Sequence, residues 1–151
     1  MTPRTFFQVM QVELLVRRRI ETCLQAEKLT PGQYSALNLL GLREPASSAE
    51  MSRRLGISAQ SMGEQIKLLE AKGLVERHVS SDNRRVAFIR RTDLGKAVLA
   101  RCEKLVDKTE KEFFSPLMMS ELSALKATLD KLRKSERERL NAAQSHPQAR
   151  A

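Results

Sequence analysis

Five arginines, Arg77, Arg84, Arg85, Arg90 and Arg91, fall within residues 77–91, and the same stretch holds one acid, Asp82. Guanidinium groups set this closely suit phosphate, because each offers a planar fork of N–H donors that stays charged at any physiological pH. Other reactive side chains are thinly spread. His78 and His146 are the only histidines, Cys23 and Cys102 the only cysteines, and there is neither a CxxC pair nor a Gly-rich phosphate loop. A histidine-based metal site, a Ser-His-Asp triad and a disulfide scaffold therefore lack their parts. No catalytic residue, metal ligand or cofactor is expected. Cys23 and Cys102 each lie among helical apolar positions and read as packing residues. A lone His78 beside the arginine-rich stretch reads as a contact to phosphate or solvent.

The elements that must position these arginines can be read from periodicity. The chain has 151 residues with 41% apolar and 30% charged side chains, which is globular composition. Its formal net charge is +9. Net values of +2, +3 and +4 over residues 1–45, 46–95 and 96–151 show the excess spread along the chain, so 77–91 is the one concentrated patch. The balance suits an anionic partner, with nucleic acid ahead of an acidic membrane surface. No apolar run approaches the roughly 20 residues that span a bilayer. Polar residues interrupt any export-signal pattern in MTPRTFFQVMQVE, and the expected compartment is the reducing cytoplasm.

Residues 5–27 carry apolar side chains over more than one helical face, from Phe6 and Phe7 to Cys23 and Leu24. A second helix is expected over 31–40, with Thr30 as N-cap, Pro31 at the first helical position and Gln33 closing a capping box. It would turn Tyr34, Leu37 and Leu40 inward. After a connector over 41–47, Ser48 is expected to cap a short helix over 49–55. Gly56 supplies the sharp turn, Ser58 caps a further helix to about residue 72, and Gly73 closes it. Leu74-Val75 and residues 86–89 are strand-like around the turn residues 80–83, which makes a hairpin. Helical spacing returns at Leu94, Val98, Cys102, Leu105, Thr109 and Phe113. It breaks at Pro116 and resumes at Leu122, Leu125, Leu129 and Leu132. Residues from 141 onward look frayed.

Helix, glycine turn, second helix and basic hairpin is the order of a winged helix-turn-helix. Ala59, Met62, Ile66 and Leu69 fall on one side of the second helix and would hold it against Met51 and Leu55. Gln60, Ser61, Glu64, Gln65 and Lys67 fall on the other, short or amide side chains suited to base edges in a major groove. Arg84 and Arg85 stand at a hairpin tip narrow enough for a minor groove.

Over roughly residues 6–135 the sequence resembles the MarR family of winged-helix transcription regulators. The stretches that carry the resemblance are 29–34 (LTPGQY), 51–58 (MSRRLGIS), 69–77 (LEAKGLVER), 81–85 (SDNRR) and 92–96 (TDLGK). It implies a homodimer built from N- and C-terminal helices, bound to a pseudopalindromic operator and released by a small ligand or an oxidant. It also implies that Ser58, Gln60, Ser61 and Gln65 face the groove; Lys67, on the polar side of the same helix, and Arg77, in the arginine-rich stretch, are expected to add contacts. Asp82 would brace the wing while Arg84 or Arg85 inserts. Four positions depart from the family: Gly63 and Glu64 where a hydroxyl residue and then Arg are common, Leu68 on the outward side, and Arg91 where an apolar residue usually stands.

Dimerisation also follows from the residues, because one small domain has too few inner faces to cover both helix 5–27 and the leucine stripe at 122–132. The expected fold is thus mainly α (α+β), in four parts. These are an N-terminal dimerisation helix over 1–28, a DNA-binding domain over 29–95, C-terminal dimerisation helices over 96–140 and a disordered tail over 141–151. The expected function is a repressor bound to double-stranded operator DNA. An aromatic or other organic acid would release it, gripped by Arg17, Arg18 and Arg19 near Gln33 and Tyr34. The alternative is a nonspecific basic protein of DNA architecture or of the membrane surface.

Overall fold

Capping chemistry and periodicity set the helix boundaries in the computed structural model, which describes residues 4–79, 81–82 and 86–145. Helix α1 is Thr5–Leu24, continued by one 3-10 turn over Gln25–Glu27. Helix α2 is Pro31–Leu42, opened by the full capping box: the Gln33 N–H donates to Thr30 Oγ1 at 3.2 Å, and the Thr30 N–H donates to Gln33 Oε1 at 3.3 Å. Strand β1 (Ala46–Ser47) leads into α3 (Ser48–Leu55), and α4 is Ala59–Ala71. Strands β2 (Val75–Val79) and β3 (Ala87–Arg91) form the hairpin; α5 (Asp93–Phe113) and α6 (Met119–Ser145) complete the chain. The three strands pair antiparallel in the order β1-β3-β2, with Ile89 of β3 opposite both Arg77 and Ala46. The chain forms two compact units that divide between Glu110 and Lys111.

The core of the first unit is built where those elements turn their apolar sides together. Leu24, Leu37, Leu40, Met51, Met62, Ile66, Leu69 and Ile89 are all fully enclosed. Burying one such side chain contributes about 1.5–3 kcal/mol, so α2, α3, α4 and the sheet are held chiefly by these contacts.

The structure revises several expectations. Ser47, not Ser48, is the cap of α3, since its hydroxyl accepts the Glu50 N–H at 3.2 Å. Helix α2 runs on to Leu42, and the connector after it contributes the short strand β1. Ala59 is exposed and not part of the packed face of α4. On α5 the enclosed residues are Gly95, Val98, Leu99 and Cys102, while Leu94 is 52% exposed. Helix α6 continues through residues 141–145, which were expected to belong to a disordered tail.

Gly95 explains the α5 register. A side-chain carbon at this position would collide with the backbone carbonyl of Leu74. That carbonyl also accepts the Thr92 N–H at 3.0 Å, and the Thr92 hydroxyl donates to the Gly73 carbonyl at 2.6 Å. The first turn of α5 therefore lies directly on the chain entering β2. Only glycine permits so close an approach.

Candidate nucleic-acid interface

The turn between α3 and α4 depends on Gly56, whose φ of +67° is a left-handed conformation that glycine adopts without a Cβ penalty. The Ser52 hydroxyl closes the turn by donating to the Ile57 carbonyl at 3.2 Å. Ser58 then opens α4: its hydroxyl accepts the Ser61 N–H at 3.0 Å and lies 2.9 Å from the Ser61 hydroxyl. Capping by a neutral side chain leaves the positive end of the helix dipole available to an anion. Ser58, Gln60, Glu64 and Lys67 are exposed along this helix, and Ser61 is half-buried beside them. Leu68, 49% exposed, joins the same outer face. The Gln60 amide donates to Glu64 Oε1 at 3.4 Å.

Gln65 is a correction. It was expected among the groove-facing residues, but its amide packs against the first turn of α2, and a Cβ on Gly32 would lie only 3.3 Å from its Cδ. Its Oε1 is enclosed there without a hydrogen-bond partner. The periodic reading placed Gln65 at the margin of the polar face, and packing of α4 against α2 decides which way it turns.

The arginine cluster is divided by its partners. Arg77 Nε donates to both oxygens of Glu70, at 2.9 and 3.0 Å, which neutralises part of its charge while leaving its side chain 40% exposed. Arg91 forms a half-buried pair with Glu44, at 2.9 Å, and its backbone N–H donates to the same carboxylate. This pairing supplies the reason for a charged residue at a position where an apolar one is usual. Arg90 is exposed. Arg84 and Arg85, the expected minor-groove residues, lie outside the described residues. Asp82, the expected brace of the wing, is exposed, with the Ser81 hydroxyl 3.5 Å from its Oδ1.

The expected effector residues are not joined to one another. Arg17, Arg18 and Arg19 are exposed on α1, and Arg17 pairs with Glu13 one turn earlier. The Gln33 amide is occupied in the capping box and accepts from Lys72 Nζ at 2.8 Å. The Tyr34 hydroxyl donates to Glu103 of α5. Burial raises the Tyr34 pKa, and the adjacent Glu103 carboxylate raises it further, so the phenol keeps its proton. Burial likewise pushes the Cys102 thiol up to about 11, so at neutral pH it packs as a thiol. Cys23 Sγ donates to the Ile20 carbonyl at 3.3 Å.

Two polar links missed by sequence reasoning tie this region together over long separations. Lys72, just beyond α4, donates through Nζ to the Lys28 carbonyl at 2.6 Å as well as to Gln33. Arg101 of α5 reaches Glu27 at 2.7 Å. Hydrogen bonding from Arg101 lowers the Glu27 pKa despite opposing burial. At Glu44 burial acts upward, yet the bonds from Arg91 and the charges of Arg91 and Lys96 outweigh it and hold the carboxyl low.

A pKa depressed in the folded chain contributes stability above the ordinary glutamate value of 4.5, which is lost as pH falls through the folded value. Thermal unfolding should therefore move to lower temperature from about pH 5 downward. Glu44→Gln should make that decline shallower in a pH series of melting curves. An unaltered pH profile would remove the Glu44 pair as a source of it.

Comparison with known proteins adds a second line of observation. A family model described as MarR family matches residues 28–86. A relative from Thauera aromatica, described as a putative transcriptional regulatory protein for the hcr operon, is 28% identical over 116 residues, covering 77% of this chain and 70% of its own length. Among solved structures, the transcriptional repressor CouR bound to a 23-mer DNA duplex superposes with a TM-score of 0.82 at 29% identity, over 85% of this chain and 92% of that one. The Mycobacterium tuberculosis MarR family protein Rv2887, in complex with p-aminosalicylic acid, gives 0.71 at 24% identity, over 86% and 98%.

Proposed function

We propose that the chain is a transcriptional regulator of the MarR type that represses transcription as a homodimer seated on a pseudopalindromic operator, a reading supported by the family model over residues 28–86 and by the likeness to CouR. The observation that carries this reading is the outward face of α4: a capped, unobstructed N-terminus followed by Gln60, Ser61, Glu64 and Lys67, on a chain of net charge +9. Two such helices in a two-fold dimer would enter successive major grooves about 34–36 Å apart. The wings, with Arg84 and Arg85, would lie in flanking minor grooves.

The dimer reading rests on uncovered apolar surface. Phe6, Phe7, Met10, Leu14 and Leu15 of α1 are each 47–83% exposed. Leu129, Leu132 and Leu140 of α6 are 49–61% exposed. Surface of this kind is costly in water and suits burial by a second copy. No helix of the described residues is long and apolar enough to cross a membrane.

Release by a small organic acid is part of the same proposal. The M. tuberculosis neighbour was crystallised with an aromatic carboxylate. Among this chain's own residues, Arg18 and Arg19 are exposed cations on the helix assigned to the dimer contact.

The test is selection of duplexes from a random pool, followed by titration against the winner and a scrambled duplex at physiological ionic strength. A regulator should retain a preference of about 10³-fold or more for the selected site. Equal binding to both, with one shared salt dependence, would leave only nonspecific charge attraction.

A further inference from the structure

We infer that Glu64 is a base-reading residue which selects cytosine in each operator half-site by accepting a hydrogen bond from its major-groove N4 amino group. This rests on the regulator reading above and adds a specificity to it.

The observation is an imbalance of charge on one helix. Glu50, Glu70, Glu76 and Asp93 of the winged-helix region each face a cationic or imidazole group, namely Arg43 and Arg54, Arg77, His78, and Lys96. Glu64 differs. Among the described residues its partner is the neutral Gln60 amide, and Lys67, one turn on, forms no ion pair with it. Its carboxylate stands exposed in the second turn of α4, on the face that carries Gln60 and Leu68. In a groove flanked by phosphates an unpaired carboxylate is repelled, and this cost falls on every sequence alike. It is offset only where the carboxylate meets a donor, and the donors at major-groove edges are the amino groups of cytosine and adenine.

Cytosine is the better match. Adenine sets its N7 lone pair beside its amino group, which repels a second acceptor, whereas cytosine presents the amino donor without one. The Gln60 contact orients the pair: one amide hydrogen is directed to Glu64 Oε1, and the second Glu64 oxygen is left to accept from the base. No arginine lies on α4, so the bidentate guanine contact is missing from this face. The face is therefore rich in acceptors and suited to amino-bearing bases.

The experiment starts from the duplex that the wild-type dimer selects. Each base pair of a half-site is changed in turn, and affinities of wild type and Glu64→Ala are compared. Wild type should prefer C·G at one position of each half-site by about tenfold. Glu64→Ala should lose that preference there and nowhere else, while binding scrambled DNA about threefold more tightly for want of a repelled charge. N4-methylcytosine at the same position replaces the major-groove hydrogen by a methyl group. It should weaken wild type about tenfold and leave Glu64→Ala unaffected.

An unchanged base preference in Glu64→Ala, with selection otherwise intact, would overturn the assignment, and so would adenine in place of cytosine at that position. Failure of the wild type to select any duplex would overturn the regulator reading instead. A merely structural Glu64 would alter melting temperature or affinity on all duplexes equally, without the position-specific change.

Discussion

Met10→Glu combined with Leu14→Glu should convert the proposed dimer to a monomer and weaken operator binding by about 10²–10⁴-fold. The two residues are one helical turn apart on α1, 64% and 47% exposed, so the charges add no strain to the fold of a single chain. They would, however, be taken out of water by a second copy, and two unpaired carboxylates in such an interface oppose its formation. Affinity falls when dimerisation is lost, because the second recognition helix then no longer binds at the high effective concentration set by the first. Sedimentation velocity reads the mass, and fluorescence anisotropy reads the affinity on the same samples. Far-UV circular dichroism should stay close to wild type. A variant that remains dimeric and binds the operator normally would remove α1 from the interface.

Gly95→Ala is the second large effect, and it acts on folding. The added methyl would meet the Leu74 carbonyl, a backbone group that moves only if β2 or α5 moves. Overpacking of this kind should cost about 3 kcal/mol. For a chain of this length that lowers the melting temperature by roughly 6–12 °C. The hydrogen bonds of Thr92 to Gly73 and Leu74 would be displaced with it. Gly63→Ala gives the matched control. Its Cβ meets nothing within 4 Å, so the gain in helix propensity should raise stability by about 0.5–1 kcal/mol. Differential scanning calorimetry on both variants checks the pair; equal shifts would show that the collision is relieved by relaxation.

Much of this fold was legible because its signals are local. The Thr30-Pro31-Gln33 box and the Ser58 cap are set by side chains within three residues of the backbone they satisfy, and the turn at Gly56 by that residue's own left-handed backbone; all were read from sequence at their observed positions. The errors fall where a neighbour in space decides. Two adjacent serines offer the same cap to α3, and only the lie of Glu50 selects Ser47. A strand of two residues has no periodicity to detect, and β1 exists because β3 is there to pair with it. Gln65 and Ala59 sit at the margins of the apolar face of α4, where the approach of α2 determines which side is covered.

At the candidate site the polar face of α4 was legible, but its electrostatics were not. Arg77 and Arg91 belong to the arginine cluster in sequence and to Glu70 and Glu44 in space. The pairs Glu27–Arg101 and Tyr34–Glu103 join residues 74 and 69 positions apart, beyond any spacing rule. The isolation of Glu64 emerges only once the partners of its neighbours are known.

The Lys72 ammonium fastens the far end of α4 to the junction of α1 and α2, while the end at Ser58 projects outward. Thirteen residues of helix make a rod of about 20 Å, held to the core along its length by the enclosed Met62, Ile66 and Leu69. A tilt of that rod by only 5° about its Lys72 end would carry the Ser58 end by roughly 1.7 Å, more than the tolerance of a hydrogen bond. A displacement of the Lys28–Gln33 segment that tilted α4 would thus be amplified, as by a lever, at the exposed Ser58 end.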